Sequence, residues 1–193
     1  MRGYFGIGLE GVGNPANAGA LFRTAHAFGA SFVFTVAADY SSRYTSADTS
    51  RSLDHLPRFD FPDLDSFLLP QRCVLVGVEL DDGAVDLPVF PHPRSAAYVL
   101  GPELGSLSPG MRARCRHLVR IPTRFSLNLA TAGAIVLYDR MRAGWRAGGP
   151  PEGSTPGGGG NARSRFSRAG RKPARPTTPD DQSNDSPSST PQS

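Results

Sequence analysis

Five polar side chains fall in three short segments between residues 17 and 128, each where an apolar run gives way to a loop or helix. Asn17 opens Asn17-Ala18-Gly19, which leads to Arg23-Thr24. Glu103 closes Gly101-Pro102-Glu103. Ser126 and Asn128 belong to Ser126-Leu127-Asn128, which follows Ile121-Pro122. Amides, a hydroxyl, one carboxylate, one guanidinium and a glycine that admits close approach are the equipment of a ligand pocket. In open α/β sheets such pockets form at strand ends. Taken singly, each residue has a plain structural reading: Asn17 and Ser126 as helix caps, Arg23 as an exposed helix cation, Gly101-Pro102 as a turn.

Other chemistries find less support. Gly6-Ile7-Gly8-Leu9-Glu10-Gly11 matches a dinucleotide-binding glycine pattern. That fingerprint needs a full strand before it and an acid about 20 residues later, and neither is present. A glycine-rich strand packed closely against a neighbour explains these residues better. No Walker-type phosphate loop occurs. His26, His55, His92 and His117 are scattered, so no metal-ligand spacing exists and no metal is expected. Cys73 and Cys115 sit in strand-like contexts and read as buried free thiols.

The elements that must position the three segments alternate between strand and helix. Tyr4–Leu9 reads as an apolar strand. Asn14-Pro15 reads as the start of a helix, with Leu21, Ala25 and Phe28 on one face and Gly29 as its stop. Ser31–Val36 reads as a second strand, and residues 39–61 as polar and irregular. A brief helix is predicted at Leu64–Leu69, strands at Val74–Val78 and Ala96–Leu100, a short helix at Met111–Cys115 and a strand at Leu118–Ile121. A long Ala-rich helix is predicted over Leu127–Trp145. Strands alternating with helices imply a mostly parallel sheet covered on both faces.

The 193 residues suffice for one domain with a core, 38% of them hydrophobic, followed by a change of composition. Residues 148–193 are rich in Gly, Pro, Ser and charge and are expected to form a disordered tail. Within it Arg163, Arg165, Arg168, Arg171, Lys172 and Arg175 form a basic arm suited to phosphate backbones. The opening strand leaves no signal peptide, and no apolar run could span a bilayer, so a cytoplasmic protein without membrane contact is expected.

The three segments, in their order and content, resemble the motifs of the TrmH-like (SpoU) RNA ribose 2′-O-methyltransferases of the SPOUT superfamily. The Asn-x-Gly-x-x-x-Arg-Thr-Ala run of residues 17–25, with Ala27-Phe28-Gly29-Ala30, is similar to the first motif almost throughout. Gly101-Pro102-Glu103 is similar to the second, with the following glycine displaced by one residue to Gly105. Ser126-Leu127-Asn128 entering the long helix is similar to the third, after a shorter link from Ile121-Pro122. The likeness covers residues 4 to about 145. It implies residues 1–147 as an α/β methyltransferase domain whose C-terminal part forms a deep trefoil knot, a homodimer with the first and last helices at the subunit interface, and S-adenosylmethionine as cofactor.

By the same likeness, main-chain groups around Val76, Gly77, Gly101, Ile121, Ser126 and Leu127 hold the cofactor. Arg23 sits at the target ribose, and Asn17, Glu103, Ser126 and Asn128 shape the pocket. A guanidinium stays protonated in proteins, so Arg23 is expected to orient the ribose and its phosphate rather than accept a proton. The partner is RNA, with tRNA favoured over rRNA. Arg112, Arg114, Arg116, Arg120 and Arg124 are expected to offer phosphates a positive surface. The alternative is a catalytically silent RNA-binding relative acting as an RNA chaperone or assembly factor, which the displaced glycine and the short link permit.

Overall fold

Phe5–Glu10 forms β1, and its two inner glycines explain how it packs. A Cβ on Gly6 or Gly8 would lie 2.4 Å from the ring of Phe32 or Phe34. The rings of the next strand therefore lie flat over β1, where any side chain would lift them off. The computed structural model describes residues 3–38, 56–102 and 105–148. Glu103, part of the polar stretch 39–61 and the tail after Gly148 lie outside them.

Asn14 caps α1 (Pro15–Ala27), its side chain accepting from the Ala16 N–H at 2.9 Å, and Pro15 supplies the preset first turn. Strands β2 (Phe32–Val36), β3 (Arg58–Phe61), β4 (Val74–Val78), β5 (Val85–Asp86), β6 (Ala96–Leu100) and β7 (His117–Arg120) complete a seven-stranded sheet in the order β3-β2-β1-β6-β4-β7-β5. Every recorded strand pair is parallel. The last long-range step inserts β7 between β4 and β5. Two further helices are α2 (Pro109–Arg114) and α3 (Leu129–Gly148).

Two apolar layers flank the sheet. On one face Leu21 and Phe22 of α1 and Val136 and Leu137 of α3 pack with Ile7, Leu9 and Tyr98. On the other, Met111 of α2, Leu107 and Phe67 pack with Phe32, Phe34 and Val99. Each fully buried side chain of this size contributes about 1.5–3 kcal/mol. A buried polar relay fastens the first layer to the loop before β6. Arg140 donates to Tyr98 Oη at 3.0 Å, Tyr98 Oη lies 2.6 Å from His92 Nδ1, and His92 Nε2 lies 3.0 Å from Asp139 Oδ2. With Tyr98 donating to Nδ1 and Nε2–H donating to Asp139, every partner is satisfied by a neutral imidazole.

Several expectations change. Leu64–Leu69 is not helical: Asp63 Oδ1 accepts from the Ser66 N–H at 2.8 Å and closes a tight turn instead. The polar stretch contains β3, an edge strand whose Asp60 accepts from Thr35 Oγ1 at 2.6 Å and Arg58 Nε at 2.8 Å. Between β4 and β6, where no element was expected, the chain carries β5 and a single 3-10 turn, Leu87–Val89. No described helix is long and apolar enough to cross a membrane.

Candidate active site

Beyond the C-terminal ends of β6, β4 and β7, three neighbours in the sheet, the chain opens a cleft of about 170 Å³. One wall is Val78-Glu79-Leu80, running off β4. A second is Leu100, Gly101 and Pro102 with Gly105 and Ser106. The third is Ile121, Thr123, Ser126 and Leu127, with Leu129 and Ala132 of α3 behind. Among the described residues that line the cleft, Glu79 is the only charged one.

Gly101 is where close approach decides the residue type. A Cβ there would lie 2.8 Å from the Leu107 amide nitrogen and 3.0 Å from the Ser106 carbonyl carbon, both main-chain atoms. The loop after β6 thus folds back against its own strand end. The short link between β7 and α3 is closed locally by Thr123, whose hydroxyl donates to the Phe125 carbonyl at 2.9 Å and whose N–H donates to the Ile121 carbonyl at 2.8 Å.

Asn128, not Ser126, caps α3. Its Oδ1 accepts from the N–H groups of Ala130 at 3.0 Å and Thr131 at 3.3 Å, and its Nδ2 donates to Asn17 Oδ1 at 3.0 Å. Asn17 is not a cap either, because Asn14 fills that role. The first and third segments therefore meet directly, side chain to side chain.

Of the residues expected to hold a cofactor, Gly101, Ile121, Ser126 and Leu127 line the cleft. Val76 and Gly77 do not. Val76 is fully buried, and a Cβ on Gly77 would collide with the side chains of Leu118 and Leu107. Their main chain lies within the ladder shared with β6 and β7, which the Glu79 N–H extends by donating to the Val119 carbonyl at 2.9 Å. Arg23 is exposed on α1 and does not line the cleft of its own chain. Glu103 lies outside the described residues.

Ion pairs occupy Arg112 and Arg120 of the expected arginine surface. Arg112 pairs with Asp81 at 2.7 Å and holds that carboxyl below its usual range. Arg120 pairs with Asp86 at 2.6 Å and reaches Asp82 at 3.4 Å. Arg114 donates to the Phe67 carbonyl at 3.2 Å. Glu79 and Glu10, which no motif marks, are the functional candidates that sequence reasoning passed over. The sign that singled out Glu103, a carboxylate directly past an apolar strand, also applies to both.

Comparison with known proteins bears on the family and the fold. The family described as the SpoU rRNA Methylase family matches residues 4–138. The chain is 33% identical over 144 residues to the 23S rRNA (guanosine-2'-O-)-methyltransferase RlmB of Bordetella pertussis, covering 69% of this chain and 58% of that protein. It is 28% identical over 152 residues to the 23S rRNA (uridine(2479)-2'-O)-methyltransferase of Streptomyces viridochromogenes, covering 72% and 53%. The chain thus spans little more than half the length of these relatives. Among solved structures, an AdoMet-bound rRNA methyltransferase from Sinorhizobium meliloti superposes with a TM-score of 0.65 at 27% identity, covering 74% of this chain and 57% of that one. The SpoU methyltransferase AviRb of Streptomyces viridochromogenes shares the fold, with a TM-score of 0.67 at 24% identity over 77% and 60%. The chain belongs to the SpoU rRNA methylase family.

Proposed function

We propose that the protein methylates a ribose 2′-hydroxyl of RNA with S-adenosylmethionine as donor, acting as a cytoplasmic homodimer. The observation that carries this reading is the composition of the cleft. Its walls are main chain at three strand ends, the apolar side chains Leu80, Leu100, Ile121 and Leu127, and the single carboxylate Glu79. Such a donor set fits an adenine with a positively charged appendage and disfavours a nucleotide phosphate, to which the described lining residues offer no cation.

When bound, S-adenosylmethionine supplies an electrophilic methyl group on a sulfonium. The chain's own residues bind and align. Main-chain groups at Gly101, Ile121 and Leu127 hold the base without adding charge. Leu80 and Leu127 exclude water, and Asn128 fixes the start of α3 while gripping Asn17. Alignment is the main contribution, because no strong anion develops that would need stabilising. Arg23 stays protonated and orients the ribose and its phosphate. It lies outside its own chain's cleft, on a helix that the family likeness puts at the subunit interface, so a second copy would bring it to a cleft. The insertion of β7 between β4 and β5 is in keeping with a C-terminal knot.

The test incubates the full chain with methyl-labelled donor and either unmodified tRNA, which the sequence favours, or 23S rRNA, which the relatives' names give. Nucleoside mass spectrometry should show one new 2′-O-methylated species in one of the two. Arg23→Ala should abolish transfer while the dissociation constant for S-adenosylmethionine stays within about twofold. Donor binding without transfer to either RNA would favour the silent relative, and full transfer by Arg23→Ala would reject the role given to that residue.

A further inference from the structure

The loop of residues 105–108 lies across the ends of three adjacent strands, β1, β6 and β4, and each strand contributes one grip on it. From β6, Gly101 packs against the main chain of Ser106 and Leu107, with no room for a Cβ. From β1, the Glu10 carboxylate takes two hydrogen bonds from one residue: Ser108 N–H at 2.8 Å and Ser108 Oγ–H at 2.6 Å. From the chain leaving β4, Glu79 accepts the Leu107 N–H. Two consecutive main-chain donors are thus held by two carboxylates that reach them from different strands.

Glu10 is only 7% exposed and does not line the cleft. A buried carboxylate is costly unless hydrogen-bonded, and Ser108 satisfies both of its oxygens. Ser108 passes the constraint on, because its hydroxyl also accepts the Met111 N–H at 3.1 Å and caps α2. Leu107, between the two gripped amides, is 2% exposed and packs in the core layer beneath. What remains of the loop, Gly105 and Ser106, forms cleft wall. A wall fixed before ligand arrives spares the ligand the entropy of ordering it.

We propose that Glu10 and Glu79 are positioning residues that preset the 105–108 loop as one wall of the cleft. This rests on the cofactor reading above for its consequence in binding, but the clamp itself is a property of the protein alone.

Two measurements on the full chain separate the two levels. The first is amide hydrogen exchange without ligand, which reports local opening. Leu107 and Ser108 should be protected in the wild type. Glu79→Ala should free Leu107 and Glu10→Ala should free Ser108, while amides of β2 and β6 stay protected. The second is calorimetric titration with S-adenosylmethionine. Each alanine variant should raise the dissociation constant about tenfold or more, and Glu79→Gln, which keeps an acceptor oxygen, should recover most of the affinity. Should Glu10→Ala not fold, Ser108→Ala removes the hydroxyl bond while the Ser108 N–H stays on Glu10, and should show the same effects at smaller size.

Unchanged protection at Leu107 and Ser108 in the alanine variants would overturn the proposal. So would freed amides with an unchanged dissociation constant. If Glu79→Gln binds as poorly as Glu79→Ala, Glu79 acts by its charge on the ligand and its positioning role is wrong. A wild type that binds no S-adenosylmethionine would sink the cofactor reading instead, and the exchange data alone would then decide the clamp.

Discussion

Asn128 joins α1 to α3 with one side chain: its Nδ2 donates to Asn17 Oδ1 at 3.0 Å while its Oδ1 caps the helix that begins at the next residue. The two ends of the amide serve different partners, so substitutions can separate them. Asn128→Ala should cost about 0.5–2 kcal/mol of stability through the lost cap. Asn128→Asp should keep the cap and lose only the donation to Asn17. Chemical denaturation checks both, and run on the wild type, Asn128→Asp, Asn17→Ala and the double variant it closes a four-cornered cycle that measures the bond between the segments. A vanishing coupling energy would mean the contact contributes nothing.

Gly101→Ala tests the fold-back of the loop. The atoms a methyl would meet belong to the main chain and cannot swing aside, so the loop itself must move. Destabilisation of about 1–3 kcal/mol is expected, with weaker binding of S-adenosylmethionine. Thermal melting and titration check the two effects, and an unaltered melting curve would contradict the packing.

His92 should make stability depend on pH. Burial holds its imidazole below the ordinary value of 6.5, with Arg140 and Arg142 acting in the same direction and Asp139 opposing them. The unfolded chain then takes up the proton first, so stability is full above that ordinary value and falls as pH drops through and below it. Melting temperatures between about pH 5 and 8 should fall on the acid side. The His92→Gln variant, less stable overall, should lose that part of the slope.

Cys115 should be inert in the folded protein. Burial, then the charges of Glu10 and Glu79, push its thiol up to about 12. At pH 8 only about one molecule in ten thousand would carry the thiolate. Burial also raises Cys73. Iodoacetamide at that pH should label neither until denaturant is added, as mass spectrometry would show. Rapid labelling of Cys115 in the native state would contradict its surroundings.

What could be read ahead of the structure was local. Asn14-Pro15 announced α1, and five apolar runs announced β1, β2, β4, β6 and β7, because buried parallel strands are continuous in composition. The edge strands β3 and β5 were hidden: Arg58-Phe59-Asp60-Phe61 and Val85-Asp86 carry the polar side chains that an edge tolerates. Ser126 and Asn128 are both cap-forming types two residues apart, and only the helix start distinguishes them. For the cleft, the family likeness named Gly101, Ile121 and Leu127, which line it, and also Val76 and Gly77, which do not, since where a ladder ends depends on neighbours distant in sequence. Arg112 and Arg120 looked free for the same reason, their acids lying some thirty residues earlier in the chain (Asp81 to Arg112, 31 residues; Asp86 to Arg120, 34 residues).

The strand order also bears on synthesis. β1 is made well before β6, yet one of its two edges is closed only by that strand, Phe5 waiting for Ala96. Until then, the glycine-rich ribbon with its aromatic cover from β2 is a half-finished sheet with an open border. Only when β6 has emerged beside it is that border closed, and an open strand edge in a nascent chain is a place where chains stick to one another.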